Sequence, residues 1–221
     1  MPKSKRQQQV IDQTAKFIRQ KFDGEATGHD WYHIERVWKM AQTIGTKEGA
    51  DPFVVELGAL LHDIADWKFH GEQAGGIAAR QWLAQHEIEP RIVDHVCEIV
   101  DNISFKGLGH SNSIKTLEGQ VVQDADRLDA IGAIAIARAF AYGGAKSRSI
   151  YDPSVSLDKP LTDKEYQQLN KQSDRSTIHH FYDKLLYLKA RLNTKTARQL
   201  AVRRHKFMED FLKEFFEEWE A

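Results

Sequence analysis

The sequence is poor in cysteine and proline, has no excess of either charge, and lacks any long uninterrupted apolar run. Its single cysteine, Cys97, excludes an intramolecular disulfide, and the setting IVDHVCEIV reads as that of a small core residue. The longest apolar stretch, AIGAIAIARAFAY, is too short to span a bilayer and is interrupted by Arg138. The opening residues, MPKSKRQQQ, have no apolar signal-peptide core. With 31 basic and 32 acidic residues the net charge is −1, so neither a global basic field for nucleic acid nor an acidic disordered tail is present. These absences lead to the expectation of a soluble, cytoplasmic protein that binds neither membrane nor nucleic acid. Alternating apolar and polar runs long enough for a sheet are missing as well.

What is there is helical periodicity nearly throughout. Val10, Ala15, Phe17, Ile18 and Phe22 share one face of a first helix, which ends at Asp23-Gly24. Ile34, Val37, Trp38, Ala41 and Ile44 mark a second, closing near Gly49; Asp51-Pro52 starts a third that runs to His62-Asp63. Residues 72–86 and 90–103 each read as an amphipathic helix, and Leu117 to Tyr142 reads as the most apolar and most central one. A glycine- and proline-marked loop, YGGAKSRSIYDPSVSLDKP, follows. Thr162 to Glu165 matches a capping box, and Ile178, Phe181, Leu185, Leu188 and Leu192 form a clean stripe. The last helix carries Phe207, Phe211, Leu212, Phe215 and Trp219, an aromatic face suited to packing in cis or to a homodimer contact. At 221 residues the chain suits one domain, or one with an appendage, and the fold class is all-α.

Against this pattern, three helices carry charged or imidazole side chains where apolar ones are expected. In GHDWYHIERV, His29 and His33 are four residues apart and share a face, with Asp30 and Arg36 beside them. In LLHDIADWKFHG, His62 and Asp63 are adjacent, pointing about 100° apart, and Asp66 follows. In VVQDADRLDAIG, Asp124, Asp126 and Asp129 punctuate the most apolar helix. Burying such groups unpaired is expensive. A divalent cation would compensate, because it turns clustered carboxylates from a repulsive cost into ligands. Mixed imidazole and carboxylate ligation suits Mn²⁺, Fe²⁺, Ni²⁺, Co²⁺ or Zn²⁺ better than Ca²⁺ or a thiolate zinc site.

In this order, H-x-x-R-V, H-D-x-x-D and D-R-L resemble the HD-domain metal-dependent phosphohydrolase superfamily, an all-helical fold named for its His-Asp pair. The resemblance covers roughly residues 25–145. The runs HDWYHIERV, HDIADWKF, NISFKG and QDADRLDAIGAIAIARAFAYGG are similar to a bacterial branch of HD hydrolases described as Mn²⁺-dependent nucleoside-triphosphate pyrophosphohydrolases. It implies one HD domain over residues 1–221, with C-terminal helices in 162–221 packed on a motif-bearing core. It implies His33, His62, Asp63 and Asp126 as ligands of one divalent metal, Mn²⁺ first, with Mg²⁺, Co²⁺, Ni²⁺, Fe²⁺ and Zn²⁺ as alternatives. Asp66 falls where relatives carry an acidic residue that orients water, and is assigned general base or water positioning.

Phosphate partners are expected among Arg127, Lys68, Lys106, Lys146 and Arg148, with His70 nearby, since one metal neutralises only part of a polyphosphate's charge. Asp129 is either a fifth ligand or a group fixing a ligand histidine; His29 and Asp30 serve likewise, or Asp30 caps its helix. No H…H pattern around His95 argues for a second metal. The expected activity is hydrolysis of (deoxy)nucleoside triphosphates to monophosphate and pyrophosphate through a metal-bound water. The alternatives are hydrolysis of nucleoside monophosphates, cyclic nucleotides or guanosine alarmones, and, further off, a non-catalytic nucleotide sensor.

Overall fold

The computed structural model describes residues 3–24, 30–65, 74–103, 114–157 and 175–221. Among these, nine α-helices and one 3₁₀ helix are present and no strand, so the all-α class holds. The helices are α1 Lys5–Lys21, α2 Trp31–Glu48, α3 Pro52–Leu61, α4 Ala74–Leu83, α5 Pro90–Asn102, α6 Leu117–Asp129, α7 Ala133–Ala145, α8 Thr177–Asp183 and α9 Lys195–Glu220; the 3₁₀ helix is Leu185–Arg191. No single helix among the described residues is long and apolar enough to cross a membrane. The capping box at Thr162 to Glu165 lies outside the described residues.

Contacts divide the chain into two compact units. The first comprises Met1–Ser104, Asn112–Asp126 and Asn193–Thr196; the second comprises Phe105–Ser111, Arg127–Leu192 and Ala197–Ala221.

In the first unit α3 is the centre. It packs against α1, α2 and α5, and every residue from Phe53 to Leu61 is buried. Its start is encoded locally. Asp51 accepts hydrogen bonds from the backbone N–H groups of Phe53 (2.8 Å) and Val54 (3.5 Å), and Pro52 occupies the first turn, where a missing donor costs nothing. Glu56 is the one charged residue of α3, and its partners explain how it is tolerated. Trp38 Nε1 donates to it at 2.8 Å, Gln42 Nε2 at 2.7 Å, and Lys3 forms an ion pair with it. The expectation that residues 117–142 form the central helix is corrected here: α3 takes that place.

That segment is also not one helix. It breaks between α6 and α7, where Gly132 has φ +94°, a left-handed conformation that disfavours any residue with a Cβ. A Cβ there would in addition lie 3.1 Å from Arg204 Cβ, within the second unit. The periodicity runs on across the break because apolar residues continue at helical spacing, whereas one glycine decides the backbone. A similar correction applies to the stripe from Ile178 to Leu192. All five of its residues are buried, but Lys184, at φ −143° and ψ −57°, splits the segment into α8 and the 3₁₀ helix. Leu185 and Leu188 still share a face, since a 3₁₀ helix repeats every three residues. In the aromatic tail of α9, Trp219, Phe216 and Phe215 lie 5.2, 5.3 and 6.1 Å from the Tyr151 ring, whereas Phe207 and Trp219 remain largely exposed.

The α4–α5 pair shows how tightly the first unit is built. Asp101, near the end of α5, accepts the Gly76 N–H at 2.8 Å, and a Cβ on Gly76 would lie 2.6 Å from Asp101 Cγ. Replacing Gly76 by alanine therefore displaces this carboxylate and breaks its bond, against only the small gain alanine brings to a helix. Gly76→Ala is expected to destabilise the protein by about 1–3 kcal/mol, read as a lowered midpoint in urea unfolding followed by circular dichroism.

Candidate metal centre

Three elements of the first unit bring four polar side chains together. α2 contributes His33 from its first turn. Asp30 is the N-cap of α2, and its Oδ1 accepts the N–H of His33 itself at 2.8 Å, so the cap fixes the backbone from which the imidazole projects. Of the two roles considered for Asp30, this is the capping one. His62 is the C-cap of α3, and Asp63 follows as the chain leaves the helix. Asp126 comes from α6.

The two imidazoles form the floor of the site. His33 is 1% exposed and His62 5%. Their Nε2 atoms are 3.3 Å apart, with the rings inclined at 72°. Asp63 Oδ2 lies 3.4 Å from His33 Nε2 and 3.5 Å from His62 Nε2; Asp126 Oδ1 lies 3.7 and 4.0 Å from the same two atoms. Two donors that share an ion at about 2.1 Å sit about 3.0 Å apart at a right angle and about 3.4 Å apart at a tetrahedral angle. The observed spacings of 3.3 to 4.0 Å are those of donors that can share one cation.

The histidine chemistry agrees. His62 Nδ1 lies 2.8 Å from the Ala59 carbonyl oxygen. A carbonyl only accepts, so Nδ1 carries the proton and, in the neutral ring, Nε2 presents its lone pair toward His33, Asp63 and Asp126. The carboxylates differ from the imidazoles in exposure, at 25% for the Asp63 side chain and 33% for Asp126. The cluster is thus closed on its nitrogen side and open to solvent on its oxygen side. Ligand atoms of His33, His62 and Asp63 all lie within 4.8 Å of one another, and these residues form a possible site for a divalent metal.

The remaining residues expected at the site are distributed as follows. His29, Asp66, Lys68, His70 and Lys106 lie outside the described residues. His95, in the first unit, has its Nε2 2.9 Å from Thr116 Oγ1. Arg127, Asp129, Lys146 and Arg148 belong to the second unit. There Arg127 is 5% exposed and donates to the Arg191 carbonyl, and Asp129 accepts from Arg138 Nη1 at 2.8 Å. Lys146 and Arg148 both lie over the Tyr142 ring, 5.8 and 5.5 Å from its centroid.

Sequence reading left Asp124 without a role. It is fully buried, and its carboxylate accepts from Asn193 and Thr194. The pairing joins residues 69 and 70 positions apart, a separation at which no local spacing signals a contact. What the sequence does show is an aspartate in the middle of an apolar helix, which demands a partner somewhere.

A helical fold in which an adjacent His-Asp pair meets a second histidine and a second aspartate around one point defines the HD class of metal-dependent phosphohydrolases. The HD domain family model matches residues 30–131, which include all four donors. The chain is 37% identical over 205 residues to the Bacillus subtilis protein YpgQ, spanning 92% of this chain and 90% of the relative. Among solved structures it is similar to an HD-superfamily hydrolase from Bacillus thuringiensis (41% identity, TM-score 0.74, covering 97% of this chain and 99% of the other). A Lactobacillus plantarum protein matches with 33% identity and a TM-score of 0.84 over 100% of both chains. The crystal structure of YpgQ in complex with ADP matches with 36% identity and a TM-score of 0.74 over 96% of each chain. This protein belongs to the HD-domain superfamily.

The geometry sets an expectation for metal binding that does not require the substrate. Divalent cation should raise the melting temperature of the wild type, since a ligand at about 100 times its Kd stabilises by about 2.7 kcal/mol. In Asp63→Asn that rise should disappear while the melting temperature without metal stays close to wild type, because Asp63 is partly exposed and the substitution nearly preserves its volume. Differential scanning fluorimetry with Mn²⁺ and Co²⁺ reads both quantities.

Proposed function

We propose that this protein hydrolyses (deoxy)nucleoside triphosphates to the monophosphate and pyrophosphate, with Mn²⁺ as its cation. The observation that carries this reading is the cluster of His33, His62, Asp63 and Asp126, closed on its imidazole side and accessible on its carboxylate side. When bound, the cation supplies Lewis acidity, lowering the pKa of coordinated water and offsetting charge on phosphoryl oxygens. The chain's own contribution is preorganisation. Ala59 holds His62 in the tautomer that presents Nε2, Asp30 holds the backbone of His33, and the exposed edges of Asp63 and Asp126 leave room for oxygen ligands.

Attack by water on the α-phosphorus forms a P–O bond there and breaks the bridge to the β-phosphate, so pyrophosphate leaves as one unit. We assign Asp66 to orient that water and to take its proton, on the strength of its place after the His-Asp pair. Lys68, just beyond it in the sequence, is the cation we assign to the phosphate chain. Both lie outside the described residues. The choice of a nucleotide bearing a phosphate chain is supported by YpgQ, a relative with a crystal structure in complex with ADP.

The test is product analysis. Purified protein is incubated with each common nucleoside and deoxynucleoside triphosphate in the presence of Mn²⁺, Co²⁺ or Mg²⁺, and pyrophosphate, orthophosphate and nucleotide products are quantified. Equimolar monophosphate and pyrophosphate is the expected result. Asp66→Ala should lower kcat by about 10²–10⁴-fold while the metal-dependent rise in melting temperature persists. Orthophosphate as the sole inorganic product overturns the pyrophosphohydrolase reading, and no release from any of these triphosphates overturns it too.

A further inference from the structure

α6 carries two buried or half-buried aspartates two residues apart, and they face opposite ways. At about 100° per residue, Asp124 and Asp126 project about 160° apart around the helix. Asp126 faces the imidazoles. Asp124 faces the start of α9 and has four donors there: Asn193 N–H (2.8 Å to Oδ1), Asn193 Nδ2 (2.9 Å), Thr194 N–H (2.7 Å) and Thr194 Oγ1 (2.8 Å). Asn193 Nδ2 also lies 3.1 Å from Gln123 Oε1, extending the grip by one residue along α6.

The same short segment holds the other ligand-bearing helix. Two residues beyond Thr194, the N–H of Thr196 donates to Glu48 Oε1 at 2.7 Å, at the end of α2 opposite His33. Those bonds from Thr196 hold the Glu48 carboxyl below the usual range. Asn193–Thr196 is counted within the first unit although the chain on either side of it belongs to the second. It joins α2 to α6 through side-chain carboxylates at the positive end of a helix, where negative charge is favoured.

We propose that Asp124, through Asn193 and Thr194, is a positioning residue for the metal centre: it sets the rotation and height of α6, and so the placement of Asp126 relative to His33 and His62. Glu48 and Thr196 brace α2 from the same segment. This rests on the metal-site reading given above. A helix held through one of its own carboxylates by several donors on another segment has little freedom to rotate, and a rotation of α6 changes the distance of Asp126 from the imidazole nitrogens. Loss of a group that orients a metal ligand typically weakens metal binding by about 10–100-fold.

The experiment uses the full chain and two readouts besides turnover: the Kd for Mn²⁺ by calorimetric titration, and the visible absorption spectrum of the Co²⁺-loaded protein, which reports coordination geometry. Thr194→Val removes one donor while leaving the backbone bonds, and should weaken Mn²⁺ binding by about tenfold and alter the Co²⁺ spectrum. Thr194→Ser, which keeps the hydroxyl, should restore both. Asp124→Asn, which sets an amide N–H against backbone donors, should be more severe; if it fails to fold, Thr194→Val carries the test. Leu83→Ala, a buried position on α4 outside the metal cluster and the Asn193–Thr196 segment, serves as a destabilised control. Wild-type affinity and spectrum in Thr194→Val, or an equal loss in Leu83→Ala, overturns the positioning role alone. Failure of the wild type to bind any divalent cation overturns the metal reading and this proposal with it.

Discussion

The constraint on which the first unit depends is electrostatic. Two imidazole nitrogens 3.3 Å apart and two carboxylates within 4.0 Å of them occupy a place where the surrounding helices are apolar. Such a group of donors is costly to assemble without positive charge at its middle, and it becomes favourable once a cation sits there. Much of what is unusual nearby serves to hold those donors. The Asp30 cap ends on His33, the last turn of α3 hydrogen-bonds His62, and a buried aspartate on α6 binds the chain that precedes α9.

Charge in the second unit is arranged on a different principle. Arg127 and Arg204 both donate to main-chain carbonyls, of Arg191 and Leu128 respectively. Asp129 pairs with Arg138, and Arg175 with Asp183. Burial lowers the pKa of the Arg204 guanidinium, with Asp129 pulling it back up, and burial raises the Asp183 carboxyl, with Arg175 and His179 pulling it down. These cations close off carbonyls at helix ends or neutralise buried acids. Guanidinium suits that use because its planar fork of donors can satisfy carbonyls in fixed directions. Arg127, whose place beside Asp126 in the sequence suggested a phosphate partner, is one of them in this structure: it is 5% exposed and bonded to a main-chain oxygen.

The helices were legible wherever the signals were local. Asp30, and Asp51 with Pro52, cap their helices and were read as such, each within four residues of the group it serves, whereas the Ser4–Gln7 capping box of α1 was not singled out. The breaks at Gly132 and Lys184 were not legible, because apolar spacing carries straight across them. Periodicity reports which side chains face inward, and it did so for Ile178, Phe181, Leu185, Leu188 and Leu192, all buried despite the break among them, though not for Phe207 and Trp219, which are exposed. Centrality was misread for a related reason. The segment 117–142 is rich in alanine and isoleucine, yet Ile134 is 48% exposed, while α3 is shorter and buried on all sides. The four side chains of the cluster could be named from their motif, but the partners of Asp124 could not, since tertiary contact alone brings Asn193 and Thr194 to it.

The donors therefore differ in how their positions are encoded. His33 and His62 are each held by a group three residues away, Asp30 and Ala59, so the orientation of each is encoded locally. Asp126 has a different dependence: the helix that carries it is held from residues almost seventy positions later in the chain. Each imidazole is thus oriented locally, although the pair itself joins residues 29 positions apart, and the α6 carboxylate depends on a contact of still longer range. Loop-closure entropy opposes that contact, and local contacts do not. A fluctuation that releases Asn193–Thr196 would remove the bracing of Asp126 and, through Thr196 and Glu48, that of α2, while leaving the Ala59 bond that orients His62 in place. The carboxylate side is also the solvent-exposed side of the cluster, so the donor most dependent on distant structure, Asp126, is the most exposed of the four.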